Sequence, residues 1–81
     1  MEILQLKYFC HAAKTQNFSK TAQHFKVPVS NISQTIKRLE NELETTLFYR
    51  NANSLYLNEQ GKTFFSMLKN HLIYWRREKH T

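Results

Sequence analysis

Glycine, proline and cysteine each occur only once in these 81 residues. So few turn formers exclude a loop-rich or all-β architecture, and the composition reads as mostly helical. The single cysteine, Cys10, excludes an internal disulfide framework and a cysteine-based zinc finger. It lies on an apolar helical face, which predicts a buried structural thiol. No long apolar run is present. The opening residues, Met1-Glu2-Ile3-Leu4-Gln5, fit neither a signal peptide nor a membrane span, so no membrane partner is expected. His11, His24, His71 and His80 show no metal-ligand spacing on one face. There is no glycine-rich loop, no carboxylate pair in a pocket and no nucleophile beside a base. We therefore expect no catalytic residue, no metal, no cofactor and no small-molecule site within this chain.

Acid is missing from a long stretch as well. Between Ile3 and Leu39 there is no acidic residue, while Lys7, Lys14, Lys20, Lys26, Lys37 and Arg38 fall inside it. Glu40, Glu42 and Glu44 then follow together. Twelve Lys and Arg against six acids give a net charge of +6. A surface of one sign on half of a small domain attracts a polyanion. The chain is long enough for one domain, whose core would supply only about 3–5 kcal/mol of net stability, so a second subunit would help.

The hydrophobic spacing lays out the elements. Leu6, Phe9, Cys10 and Ala13 recur at helical intervals and leave Lys7, His11 and Lys14 outward. Gln16-Asn17 ends that helix. Ser19 is the expected N-cap of a short second helix over 20–25, with Ala22 and Phe25 buried. Lys26-Val27-Pro28 is the turn, Val27 plugging the core. A third helix follows, with Ile32, Ile36, Leu39 and Leu43 at i, i+4, i+7 and i+11; either Pro28 is its first residue or Ser30 its cap. Then the period changes. Leu47-Phe48-Tyr49-Arg50 and Leu55-Tyr56-Leu57 are short and aromatic, with turn residues between them, which predicts a β-hairpin. Asn58 caps a last helix running to about Lys79. This order predicts a mainly α, winged helix-turn-helix fold: a three-helix core, a small hairpin wing and a long C-terminal helix.

Placing the apolar stripe of the third helix inward turns Ser30, Gln34, Lys37 and Asn41 outward, flanked by Ser33 and Arg38. This face holds no acid. Its side chains are the short polar, amide and basic types that read base edges and hold phosphates. A merely solvated face would mix Glu with Lys.

Several motifs in register now point to one family. Leu6-Lys7-Tyr8-Phe9, Asn17-Phe18-Ser19-Lys20-Thr21-Ala22, Ile32 to Glu40, Leu47-Phe48-Tyr49-Arg50 and Leu57-Asn58-Glu59-Gln60-Gly61 together resemble the N-terminal domain of LysR-type transcriptional regulators. The resemblance covers nearly the whole chain. It implies a bacterial, cytoplasmic transcription factor that binds double-stranded DNA sequence-specifically, its recognition helix (about 29–43) in the major groove and its wing on the flanking backbone or minor groove. The family's DNA-contacting positions fall on Val29, Ser30, Ser33, Gln34 and Lys37, with Arg50 at the wing. Ser19, Lys20, Arg38, Arg50 and Asn53 are the expected backbone contacts. The chain departs from the family at Pro28-Val29-Ser30, where Val29 offers a thymine methyl only an apolar contact. Glu44 replaces a usual glycine, and a left-handed conformation there would cost about 1 kcal/mol. The wing tip, Asn51-Ala52-Asn53-Ser54, lacks the arginines of many relatives, which predicts a shallower salt dependence.

The last helix carries a stripe of Gly61, Phe65, Leu68, Leu72 and Trp75, widened by Phe64 and Met67. A stripe of this width predicts self-association. A homodimer through Phe64, Phe65, Leu68, Leu72 and Trp75 is expected, as the family resemblance also implies. Residues 1–57 then form the winged helix-turn-helix and residues 58–81 a linker and dimerisation helix. The alternative is a winged-helix protein–protein module of antirepressor type, with the same surface turned to an acidic partner.

Overall fold

The structure, a computed structural model, describes residues 1–51 and 54–79, with side chains described as far as residue 69. Helix α1 spans Ile3–Thr15, α2 Phe18–Phe25 and α3 Val29–Leu43; strands β1 Phe48–Arg50 and β2 Leu55–Leu57 follow, and α4 spans Glu59–Lys79. The strands pair antiparallel with Phe48 opposite Leu57, Tyr49 opposite Tyr56 and Arg50 opposite Leu55. This is the expected mainly helical, winged helix-turn-helix architecture.

The predicted stripes form one core. Phe9, Ile32, Ile36, Leu39 and Leu47 are fully buried, with Cys10, Ala13 and Ala22 beside them. Leu6, Phe25, Val27 and Leu43 pack against this cluster. Phe9 lies at its centre, with ring contacts to Phe48, Phe64 and Phe65 at 5.6, 5.2 and 6.3 Å. Burial pushes the Cys10 thiol up to about 11, with Lys14 opposing weakly, so the thiol is protonated and inert at neutral pH.

Four local expectations are corrected. Asn17, rather than Ser19, caps α2: its Oδ1 accepts the Lys20 N–H at 2.9 Å, and the helix starts at Phe18. Helix α3 begins at Val29 with Pro28 itself as N-cap in extended conformation, so Pro28 is not the first helical residue and Ser30 is not the cap. Proline's fixed φ suits that position, where no N–H is needed. His11 does not point outward. Its ring stacks on His24 at 4.2 Å, and its Nδ1 lies 2.9 Å from the Thr21 hydroxyl. That hydroxyl donates to the Asn17 carbonyl at 3.1 Å, so His11 is the donor in their contact.

The fourth correction concerns α4. Phe64 and Leu68, expected on a dimer face, are buried in the chain's own core, and Phe65 is half-buried against it. The reason is a close approach at Gly61. A Cβ there would sit 2.1 Å from the Leu47 carbonyl oxygen, so only glycine lets α4 press onto the residue just before β1 and bring Phe64 inward. Leu72 and Trp75 lie outside the described side chains.

With glycine placed there, none remains for helix ends. Gln16, Lys26 and Glu44 instead adopt left-handed φ of 50°, 57° and 56°. Glu44 thus adopts the left-handed conformation that costs a residue other than glycine about 1 kcal/mol. Two hydrogen bonds close this end of α3, from Glu44 N–H to Asn41 O and from Thr45 N–H to Glu40 O, at 3.2 and 3.1 Å.

Candidate nucleic-acid interface

Helix α3 buries Ile32, Ile36 and Leu39 and turns Ser30, Gln34, Lys37, Arg38 and Asn41 to the exterior. Ser33 is half-exposed between these two sides, and Val29 is 47% exposed at the helix start. The structure therefore brings Val29, Ser30, Ser33, Gln34 and Lys37 onto one solvent-facing surface of a rigid element. The helix is held from both sides, by α1 and α2 beneath it and by the α3–β1 connection behind it. Ser19 and Lys20 lie exposed in the first turn of α2, whose start Asn17 fixes. Asn53, at the wing tip, lies outside the described residues.

The electrostatics of this face are sharper than the sequence alone suggests. Glu40, the first acid of the third helix, is not on the surface: it is buried and points into the fold. Its Oε2 accepts the Leu47 N–H at 2.7 Å and its Oε1 accepts from Arg50 Nη2 at 3.4 Å. Glu42 faces the other end of the domain. Its carboxylate pairs with the amino terminus at 3.1 Å and accepts from Gln5 Nε2 at 3.3 Å. The hydrogen bond from the amino terminus, then that from Gln5, hold its pKa below the ordinary value. The outward side chains of α3 from Ser30 to Asn41 thus include no acid.

Arg50, expected at the DNA backbone, is 40% exposed and also makes contacts within the fold. Besides its bond to Glu40, its guanidinium lies over the Phe18 ring at 5.3 Å. The hairpin closes through Asn51 N–H to Ser54 O at 2.9 Å. Its outer face carries Tyr49 and Tyr56 directly opposite each other, 61% and 50% exposed. The sequence reading missed this pair, although both tyrosines are the middle residues of three-residue strands and so share one face. It also missed Glu40 as a buried anchor, for which sequence offers only an acid next to an apolar helix position.

Behind the wing, Asn58 joins three elements. Its Nδ2 donates to the Thr46 carbonyl at 2.8 Å, its Oδ1 accepts the Gly61 N–H at 2.7 Å, and its own N–H donates to Leu47 O at 3.0 Å. This bears out Asn58 as the cap of the last helix. An open apolar cleft of about 360 Å³ lies nearby, lined chiefly by Leu43, Leu47, Phe64 and Met67. Among the described residues no helix is long and apolar enough to cross a membrane, and no cluster of three or more His, Cys, Asp or Glu is placed to hold a metal ion.

Fold and surface together define a winged helix-turn-helix whose third helix turns Ser30, Gln34, Lys37 and Arg38 outward with no acid among them. Residues 3–62 match the bacterial regulatory helix-turn-helix proteins of the lysR family, and the chain belongs to that family. It is 38% identical over 79 residues to the HTH-type transcriptional activator IlvY of Haemophilus influenzae, covering 98% of this chain and 27% of the relative. It is 31% identical over 81 residues to the HTH-type transcriptional regulator IlvY of Escherichia coli, covering 100% and 27%. The chain thus spans about a quarter of the length of these curated relatives. Among solved structures it is similar to a BenM_DBD/catB site 1 DNA complex, with a TM-score of 0.90 and 26% identity over 96% of this chain and 87% of that one. It is also similar to a CbnR_DBD-DNA complex, with a TM-score of 0.89 and 28% identity over 98% and 91%.

Proposed function

We propose that this chain is the sequence-specific, double-stranded-DNA-binding part of a LysR-type transcriptional regulator, acting in the bacterial cytoplasm and without enzymatic activity of its own. The observation that carries this reading is the outward face of α3. Ser30, Ser33, Gln34 and Lys37 project from a helix whose surface is free of acid through Arg38, on a fold shared with proteins solved on DNA. In the major groove the Gln34 amide has the paired donor and acceptor that match adenine, and Lys37 matches guanine or a phosphate. Ser30 and Ser33 hydrogen-bond either strand's base edges, and Val29 supplies an apolar contact for a thymine methyl. Ser19, Lys20 and Arg38 serve the backbone, with Arg50 and Asn53 at the wing.

We further assign residues 1–57 to the winged helix-turn-helix and residues 58–81 to a linker helix that pairs two copies. Burial of Phe64 and Leu68 narrows that surface to Met67, Phe65, Leu72 and Trp75. Paired domains would dock in successive major grooves about 34 Å apart and read a partly palindromic site.

Selection of bound sequences from a random duplex pool tests the reading directly. We expect a recurring motif with two related half-sites, and affinity that falls steeply with salt. Enrichment of no sequence, with only weak salt-dependent adhesion, would turn the same surface over to an acidic protein partner. Light scattering on the Leu72→Glu/Trp75→Ala variant checks the pairing: a dimer should become a monomer, and an unchanged mass would sink the assignment.

A further inference from the structure

The recognition helix and the wing meet at one carboxylate. Through its main chain, Glu40 accepts the Thr45 N–H at 3.1 Å. Through its side chain it accepts the Leu47 N–H at 2.7 Å and Arg50 Nη2 at 3.4 Å. The guanidinium it holds lies 5.3 Å from the centroid of Phe18, the first residue of α2. Phe18 in turn packs edge-on against Phe48 of β1 at 5.5 Å. A chain of contacts therefore runs from α3 through Glu40 and Arg50 to the start of α2 and back to the wing.

An acid at this position is costly unless it is paired, because burial disfavours the charge. Satisfying the Leu47 N–H alone would need only a neutral acceptor. What the charge adds is the grip on Arg50, on the strand that leads to the wing tip. The docked wing must meet the DNA flank at a set angle while α3 occupies the groove, and phosphate contacts made at such a flank depend on that geometry.

We infer that Glu40 is a positioning residue for DNA binding, fixing the angle between recognition helix and wing by clasping Arg50 against Phe18 without itself touching DNA. This rests on the DNA-binding reading above. The clasp sets where Arg50, whose side chain is still 40% exposed, stands on the wing relative to the DNA flank.

The test compares the wild-type chain with Glu40→Gln on two duplexes drawn from the selected motif, one carrying the flanks and one cut back to the groove site. Glutamine keeps an acceptor for Leu47 and removes the charge that holds Arg50. We expect Glu40→Gln to lose hydroxyl-radical protection at the flanks and to bind the long duplex about tenfold more weakly. On the short duplex it should match wild type. Equal or tighter binding of the long duplex, with a steeper salt dependence, would mean that Glu40 merely holds Arg50 away from a phosphate, and would overturn the inference. Should Glu40→Gln fail to fold, Phe18→Leu removes the other side of the clasp and no proposed DNA contact. It must show the same flank loss, and unchanged protection overturns the inference too. If the wild type selects no sequence, the DNA-binding reading itself fails, and this inference with it.

Discussion

From Asn17 to Leu43 the chain is held by apolar side chains at helical spacing, whereas from Glu44 to Gly61 it is anchored by Leu47 and Phe48 in the core and tied further by polar side chains that reach across the sequence. In the first region Ile32, Ile36 and Leu39 are fully buried, and the side chains opposite them are left to solvent. In the second, Glu40, Asn58 and Gln16 donate to or accept from the backbone of Leu47, Thr46 and Leu57. The difference has a physical origin. A helix satisfies its own backbone groups and needs only one greasy face. A two-stranded hairpin of three residues a side cannot stand alone, and its unpaired N–H and C=O groups must find side-chain partners. The recognition face is therefore presented by a generic scaffold, and the wing is aimed by specific bonds.

That contrast can be broken most forcefully in the helical region. Ile36→Ala should cost about 2–5 kcal/mol, read as the shift in the urea unfolding midpoint. A cost near zero would mean that α3 is not held by its buried stripe. In the polar region the most sensitive point is Gly61. Gly61→Ala should destabilise by about 1–3 kcal/mol through overpacking onto the Leu47 carbonyl, against the gain of up to about 1 kcal/mol that alanine brings to a helix. A stabilised variant would show that α4 shifts away from Leu47 without penalty.

On the exposed face the balance reverses. Gln34→Ala should leave the unfolding midpoint almost unchanged yet lower discrimination between selected and random duplex by about 1–3 kcal/mol. Equal loss on both duplexes would remove Gln34 from base reading. The smallest effect belongs to the α1–α2 contact. Burial of His11, then the neighbouring His24 and Lys14, hold its imidazole below its ordinary pKa of 6.5. The unfolded chain then binds protons more readily than the folded one. Stability should be full above that ordinary value and decline as pH falls through the folded value. Urea midpoints taken from about pH 7.5 to about pH 5 should show this slope, flattened in His11→Gln. A flat wild-type profile would mean that the histidine stack tolerates a second charge.

How far the sequence reaches follows the same division. The buried stripe of α3 and its outward counterpart, Ser30, Gln34, Lys37 and Asn41, were legible because both are set by a period of 3.6 residues within one segment. The family motifs were legible for the same reason, being short and in register. The caps were read less well. Asn17 and Ser19 both suit an N-cap by residue type, and only the backbone conformation decides between them. Phe64 and Leu68 illustrate a harder case. Their spacing is that of a partner-facing stripe, and whether the partner is another copy or the rest of the same chain depends on how closely α4 approaches Leu47 at Gly61.

By itself, then, the sequence determined the order of elements, the buried side of each helix, the positive sign of one surface and the family. All of these are properties of neighbours along the chain. The tertiary structure alone decided that Glu40 turns inward to grip Arg50, that His11 stacks on His24, and that Gly61 draws α4 onto the core. Those outcomes depend on partners brought together from distant positions, as when Gln16 accepts the Leu57 N–H across 41 residues. No local pattern encodes a contact of that kind, because it exists only once the apolar stripes have closed and brought the two groups within reach.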